Sequence, residues 1–117
     1  MVRGAAEYCY LTTTGRRSGR PHRIEIWFAS ADDGRDRIYL LSGGRENADW
    51  VRNLRANPAV YVEIGRRRFT GHARVIEGEP EEALARRLVY EKYRYRTRDE
   101  LEEWRDTALP VAIDLHR

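Results

Sequence analysis

The chain has 117 residues, of which 41% are hydrophobic and 35% charged, with a net charge of +3 and a pI near 9.3. That length suits one domain, residues 1–117, with a real but modest core. The lone cysteine, Cys9, excludes an internal disulfide, and no apolar stretch is long enough to span a bilayer.

Elements follow in chain order from hydrophobic period and turn chemistry. Met1–Glu7 lacks the apolar run of a signal peptide, so a cytoplasmic location is expected. Residues 6–13 read as a first strand. Residues 22–30 alternate cleanly and predict a second, with Ile24, Ile26 and Phe28 on one face and Arg23, Glu25 and Trp27 on the other. Asp32–Asp33–Gly34 is a turn, and residues 37–42 form a third strand ended by Gly43–Gly44. The period then changes. Asn47 is placed to cap a helix carrying Trp50, Val51 and Leu54 on one stripe. Asn57–Pro58 stops that helix, because a residue before proline is pushed out of helical geometry.

Val60, Val62 and Ile64 alternate as a fourth strand, and Gly65–Arg66–Arg67 turns into a fifth over residues 68–76. Glu79–Pro80–Glu81–Glu82 is an acidic, proline-led helix start, followed by Leu84 and Leu88 on one face and then Tyr90, Tyr93 and Tyr95. A short helix over residues 98–106 pairs Leu101 with Trp104. Residues 109–115 form a last strand, at an edge or closing a barrel. Short strands with few helices predict a mainly β, small antiparallel barrel with two or three short helices.

The segment from Leu11 to Ile24 holds the richest chemistry. Arg16, Arg17, Arg20 and Arg23 lie beside Gly15, Gly19 and Ser18. Arginine's planar fork favours bidentate contacts with phosphate and carboxylate, and glycines let backbone N–H groups approach an oxyanion closely. The same run also reads as a solvated basic hairpin. His22, His72 and His116 are scattered without companion ligands, so no metal site is predicted. Ser18 lacks the surroundings of a nucleophile elbow, and no Walker or dinucleotide fingerprint occurs.

Two motifs carry a family resemblance. Thr12–Thr13–Thr14–Gly15–Arg16–Arg17–Ser18–Gly19–Arg20–Pro21 resembles the T-T-G-R-[KR]-S-G-x-P signature of deazaflavin (F420)-dependent nitroreductases. Trp50–Val51–Arg52–Asn53–Leu54–Arg55–Ala56–Asn57–Pro58 resembles that family's W-x-x-N-L-x-A-N-P helix, and Val60–Gly65 and Ala73–Val75 continue in order. The resemblance covers roughly residues 10–115. It implies a split antiparallel β-barrel of the flavin-reductase, FMN-binding type and coenzyme F420, an 8-hydroxy-5-deazaflavin with a phosphate and an acidic polyglutamate tail. It also implies that Arg16, Arg17, Ser18, Arg20 and Arg23 cradle those anions. Ser42, Gly43 and Gly44 would then lie against the deazaflavin ring, supported by Trp50 and Asn53. Relatives commonly have a helix before the first strand, whereas this chain begins almost at the strand; if that helix covers the site, a more open mouth or cover from a partner is expected.

A deazaflavin moves two electrons as hydride, so the protein supplies orientation and electrostatics. The expected acceptor is a small electron-poor compound: a quinone, an enone or a nitro compound. Tyr93 and Ser42 are the candidate proton donors, with Tyr90 and Tyr95 as alternates. The competing reading keeps the barrel and exchanges the ligand for FMN or haem. Nucleic-acid binding is disfavoured by 19 acidic residues and the lack of an extended basic run. Homodimer formation is left open.

Overall fold

A computed structural model describes residues 7–116. Its elements are strands β1 (Cys9–Thr14), β2 (Pro21–Ile26), β3 (Ala29–Ser30) and β4 (Arg37–Ser42), then a 3₁₀ turn (Arg45–Asn47) and helix α1 (Asp49–Ala56). β5 (Ala59–Ile64), β6 (Arg67–Val75), helices α2 (Glu81–Tyr93) and α3 (Glu102–Thr107), and β7 (Leu109–His116) complete it. The strands form one 7-stranded antiparallel sheet in the order β2-β1-β5-β6-β7-β4-β3.

That order makes the sheet a split barrel. β2 and β3 occupy opposite edges, yet only Trp27 and Phe28 separate them in the chain. The sheet curls until its two edges meet at this break. The continuous strand expected over residues 22–30 is therefore two strands, one paired with β1 and the other with β4. A strand cannot lie along both edges of a curled sheet without leaving its ladder where it crosses. Phe28 turns fully into the core at that crossing. Its orphaned backbone groups are bonded by side chains of α2 instead: the Tyr93 hydroxyl accepts its N–H at 3.0 Å, and Lys92 Nζ donates to its carbonyl at 2.7 Å.

Alternation sorts the side chains. Leu11, Ile38, Leu40, Val60, Val62, Phe69, Ala73, Val111 and Ile113 fill the barrel interior, with Ile24, Ile26 and Trp50 packed against it. A second apolar cluster lies outside the barrel wall, where Tyr39, Leu41 and Ala112 meet Ala85, Val89 and Tyr93 of α2. β7 is buried on both faces because it lies between β6 and β4; of the two places expected for it, an edge or the closure of the barrel, the edge is excluded. Its unbroken run of Val111, Ala112 and Ile113 is the pattern of a strand with no solvent face.

Other boundaries also moved. The start of the first strand at residue 6 lies outside the described residues, as does the stretch where relatives have their leading helix. Asn47 does not cap α1: the helix begins at Asp49 after Ala48, with no side-chain cap, and Asn47 Oδ1 instead accepts from Arg52 at 3.2 Å. The intervening 3₁₀ turn takes up the residues that an Asn47 cap would have needed. Asn57 closes α1 in extended backbone, as its proline neighbour requires.

Candidate functional site

The β1–β2 turn is held by its own backbone. Gly15 N–H donates to the Arg20 carbonyl and Gly19 N–H to the Gly15 carbonyl, both at 2.8 Å, while Arg20 N–H donates to Ser18 Oγ at 3.1 Å. Gly19 sits at φ +70°, in the left-handed region where a side chain is strained. A Cβ at Gly15 would lie 2.6 Å from His22 Nε2 and from Ser18 Oγ, so a side chain there would displace both of these groups.

Helix α1 packs against β1 and supplies the other wall. Asn53, buried at 3% exposure, donates to Thr13 Oγ1 at 3.2 Å. Its Oδ1 accepts from the Arg16 N–H at 3.2 Å and from the Arg16 guanidinium at 2.9 Å. Asp49, one turn earlier on the same helix face, pairs with Arg16 at 3.3 Å. Arg16 is thereby spent on bolting the hairpin to α1. Between them lies a cleft of about 250 Å³, onto which Arg16, Arg17, Ser18, His22, Asp49 and Asn53 open.

Arg17 and Arg20 differ from Arg16. Both are exposed, and neither side chain bonds or pairs with any described residue. A tight, glycine-closed turn that presents unpaired guanidinium groups beside a small cleft fits an anionic, phosphate-sized group. Among the described residues no cluster of His, Cys, Asp and Glu could hold a metal.

The structure separates the remaining expected site residues from this cleft. Arg23 points to the outer sheet face. It lies over the Tyr10 ring at 4.0 Å and 3.7 Å from Glu63, lining a different cavity of about 500 Å³. Strand alternation is the cause, because His22 and Arg23 sit opposite Thr13 and Thr12 and face opposite ways. His22 occupies the place that was expected of Arg23. Ser42 is 2% exposed and its hydroxyl donates to the Arg45 carbonyl at 3.0 Å, holding the loop in which Arg45 adopts φ 52°. Gly43 lies against the indole of Trp104, and Gly44 accepts the Asn47 N–H at 3.1 Å. Trp50 packs on the barrel core.

The late-helix tyrosines are also accounted for. Tyr93 is buried at 1% exposure, and burial pushes its hydroxyl up to about 12. That hydroxyl accepts from Phe28 N–H and is within donating distance of the Phe28 and Glu7 carbonyls, so the backbone uses it fully. Tyr90 donates to Glu102 at 3.2 Å, and Tyr95 is 82% exposed beneath Arg94. Sequence reasoning missed His22 and Asp49. The signals were present: His22 alternates with Arg23, and Asp49 precedes Asn53 by one helical turn.

The motif-bearing turn and the α1 motif thus meet in space, joined by Arg16 and Asn53. The family model described as F420H(2)-dependent quinone reductase matches residues 3–116. The chain belongs to that family. An F420H(2)-dependent quinone reductase of Mycobacterium tuberculosis is 28% identical over 91 residues, which is 77% of this chain and 61% of that protein. The chain therefore spans about 61% of the length of such curated relatives. A solved F420-H2-dependent reductase (FDR-A) superposes with a TM-score of 0.71 at 25% identity, covering 94% of each chain. A domain-swapped dimer superposes with a TM-score of 0.71 at 26% identity, covering 94% of this chain and 80% of that one. These neighbours share the split-barrel fold expected from the sequence.

Proposed function

We propose that this chain is an F420H2-dependent reductase that delivers hydride to a quinone or a similar electron-poor acceptor. The observation that carries the reading is a pair of guanidinium groups without partners among the described residues, Arg17 lining the cleft and Arg20 on the same glycine-closed turn. Family membership and the reductase activity named for its relatives support it.

Reduced F420, when bound, supplies a hydride; the chain supplies the place for it. Arg17 and Arg20 bind the anionic part of the cofactor, and His22 and the Ser18 hydroxyl border the same cleft. Arg16 and Asn53 fix the hairpin relative to α1, so the turn that carries these cations is set before binding. Ser42 holds the loop that leads toward that helix. The Ser42 and Tyr93 hydroxyls are committed to backbone, so this reading gives them structural duty and no part in proton delivery.

Side-by-side titration with F420 and FMN tests the cofactor. Quenching of F420 fluorescence with saturation below tens of micromolar is expected, with FMN much weaker. Absence of F420 binding in that range overturns the reading. Tighter FMN binding would support the flavin alternative.

A further inference from the structure

The break that seams the barrel also frees Trp27 from the ladder. Pairing stops at Ile26 and resumes at Ala29, so strand alternation does not set where the Trp27 side chain goes. One face of its indole lies flat on Tyr93, with centroids 4.2 Å apart and planes 4° from parallel. Tyr93 is itself pinned to the Phe28 backbone, so this platform is fixed. Trp27 nonetheless stays 36% exposed. Trp104 of α3 stands across it, 5.8 Å away and at 85°.

The Trp104 indole adjoins the Ser42–Gly44 loop. A Cβ at Gly43 would lie 3.5 Å from Trp104 Cδ1, and the Arg45 guanidinium donates to the Thr107 carbonyl, tying the loop to the helix that carries Trp104. The same loop runs on into α1, whose Asp49 and Asn53 border the arginine cleft. Two rings at right angles offer an electron-rich face and an edge together. A planar electron-poor ring is attracted to such faces by quadrupole complementarity as well as by area buried.

We propose that Trp27 and Trp104 form the corner in which the acceptor binds, selecting planar electron-poor rings such as quinones by stacking; this rests on the reductase reading above. The late-helix tyrosines do not perform this task. Tyr93 lies beneath Trp27 and Tyr90 is bound to Glu102. Tryptophans from the barrel seam and from α3 take that role.

The test uses menadione, a naphthoquinone, and cyclohex-2-enone, which has no aromatic face. In Trp27→Leu and in Trp104→Leu, KM for menadione is expected to rise about three- to tenfold. The kcat, the F420 Kd and the KM for cyclohex-2-enone are expected to stay within about twofold, since only the stacking contact is removed. Trp27→Phe, which keeps a ring on Tyr93, falls between wild type and Trp27→Leu. In protein free of F420, menadione is expected to quench tryptophan emission saturably in wild type, and not in either leucine variant. Equal rises in KM for both acceptors, or saturable quenching that survives both leucine substitutions, overturn the proposal. Should Trp27→Leu melt early, Trp104→Leu carries the same comparison. Wild-type protein that shows the quenching but does not bind F420 sinks the reductase reading and keeps the corner.

Discussion

Among the described residues, Asp49 puts the one carboxylate into a cleft otherwise bordered by Gly15, Arg16, Arg17, Ser18, His22 and Asn53. It balances Arg16 in the free protein and repels an incoming phosphate. Asp49→Asn is therefore expected to tighten F420 binding by about two- to fivefold, read by fluorescence titration; unchanged or weaker binding would place the anion elsewhere. Arg17→Ala combined with Arg20→Ala is expected to weaken binding at least tenfold, with a shallower salt dependence. Arg23→Ala, on the outer face, is expected to leave the Kd unchanged. Tyr93→Phe removes a hydroxyl that serves the Phe28 backbone. It is expected to cost about 1–3 kcal/mol in urea denaturation while kcat holds within about twofold. A large fall in kcat at unchanged stability would return Tyr93 to the chemistry. Asn53, Arg16, Arg17 and Ser18 were named from two separate motifs, and the fold brings them to one cleft. Arg23, grouped with them by its place in the sequence, lies on the other sheet face because strand alternation divides the run.

Helix α2 is anchored at both ends by charge, and both ends gain stability as pH rises, Glu81 in the acidic range and Lys92 in the alkaline range. At its start Glu81 takes a bidentate grip from Arg74 at 2.7 and 2.8 Å, with Arg37 and Tyr39 each at 3.1 Å. The Arg74 hydrogen bonds hold the Glu81 carboxyl below its usual range. A carboxyl lowered on folding contributes stability above its unfolded pKa and loses it as pH falls through the folded value. Glu81→Gln is expected to cost about 1 kcal/mol at pH 7, since the pairs are partly exposed, and the gap from wild type should close on acidification. At the other end, burial brings Lys92 down to about 8, with Arg96 adding to the effect. The unfolded chain then holds more protons than the folded one above pH 8, so stability rises with pH there. Burial pushes Cys9 up to about 12, which offsets the rise once the unfolded thiol ionises near 9, and Tyr93, also pushed up to about 12, reverses it above about pH 10. Thermal midpoints are expected to climb between pH 8 and 9, and Lys92→Met should flatten that climb. A flat wild-type profile would mean the ammonium is better solvated than its place over the Phe28 ring, at 3.7 Å, implies.

At the scale of the whole molecule, ligand and fold are coupled because the cleft exists only when the β1–β2 hairpin and α1 are docked. F420 at about a hundredfold excess over its Kd is expected to raise the thermal midpoint by on the order of 10 °C, measured against FMN as control. No shift would mean the cofactor does not use this cleft. By itself, the sequence determined the local elements and the cationic character of the first turn: alternation marked most strands, Asn57–Pro58 ended α1, and glycines bracketed a run of arginines. These signals survive because they depend on neighbours a few residues apart. Only the tertiary structure decided that one apparent strand is split across the two edges of a curled sheet, that β7 is central, and that Trp27 rests on a buried Tyr93 opposite Trp104. The physical reason is closure. Bringing distant edges together sets which backbone groups lose their ladder partners and which side chains must replace them, and no periodicity along the chain encodes that choice.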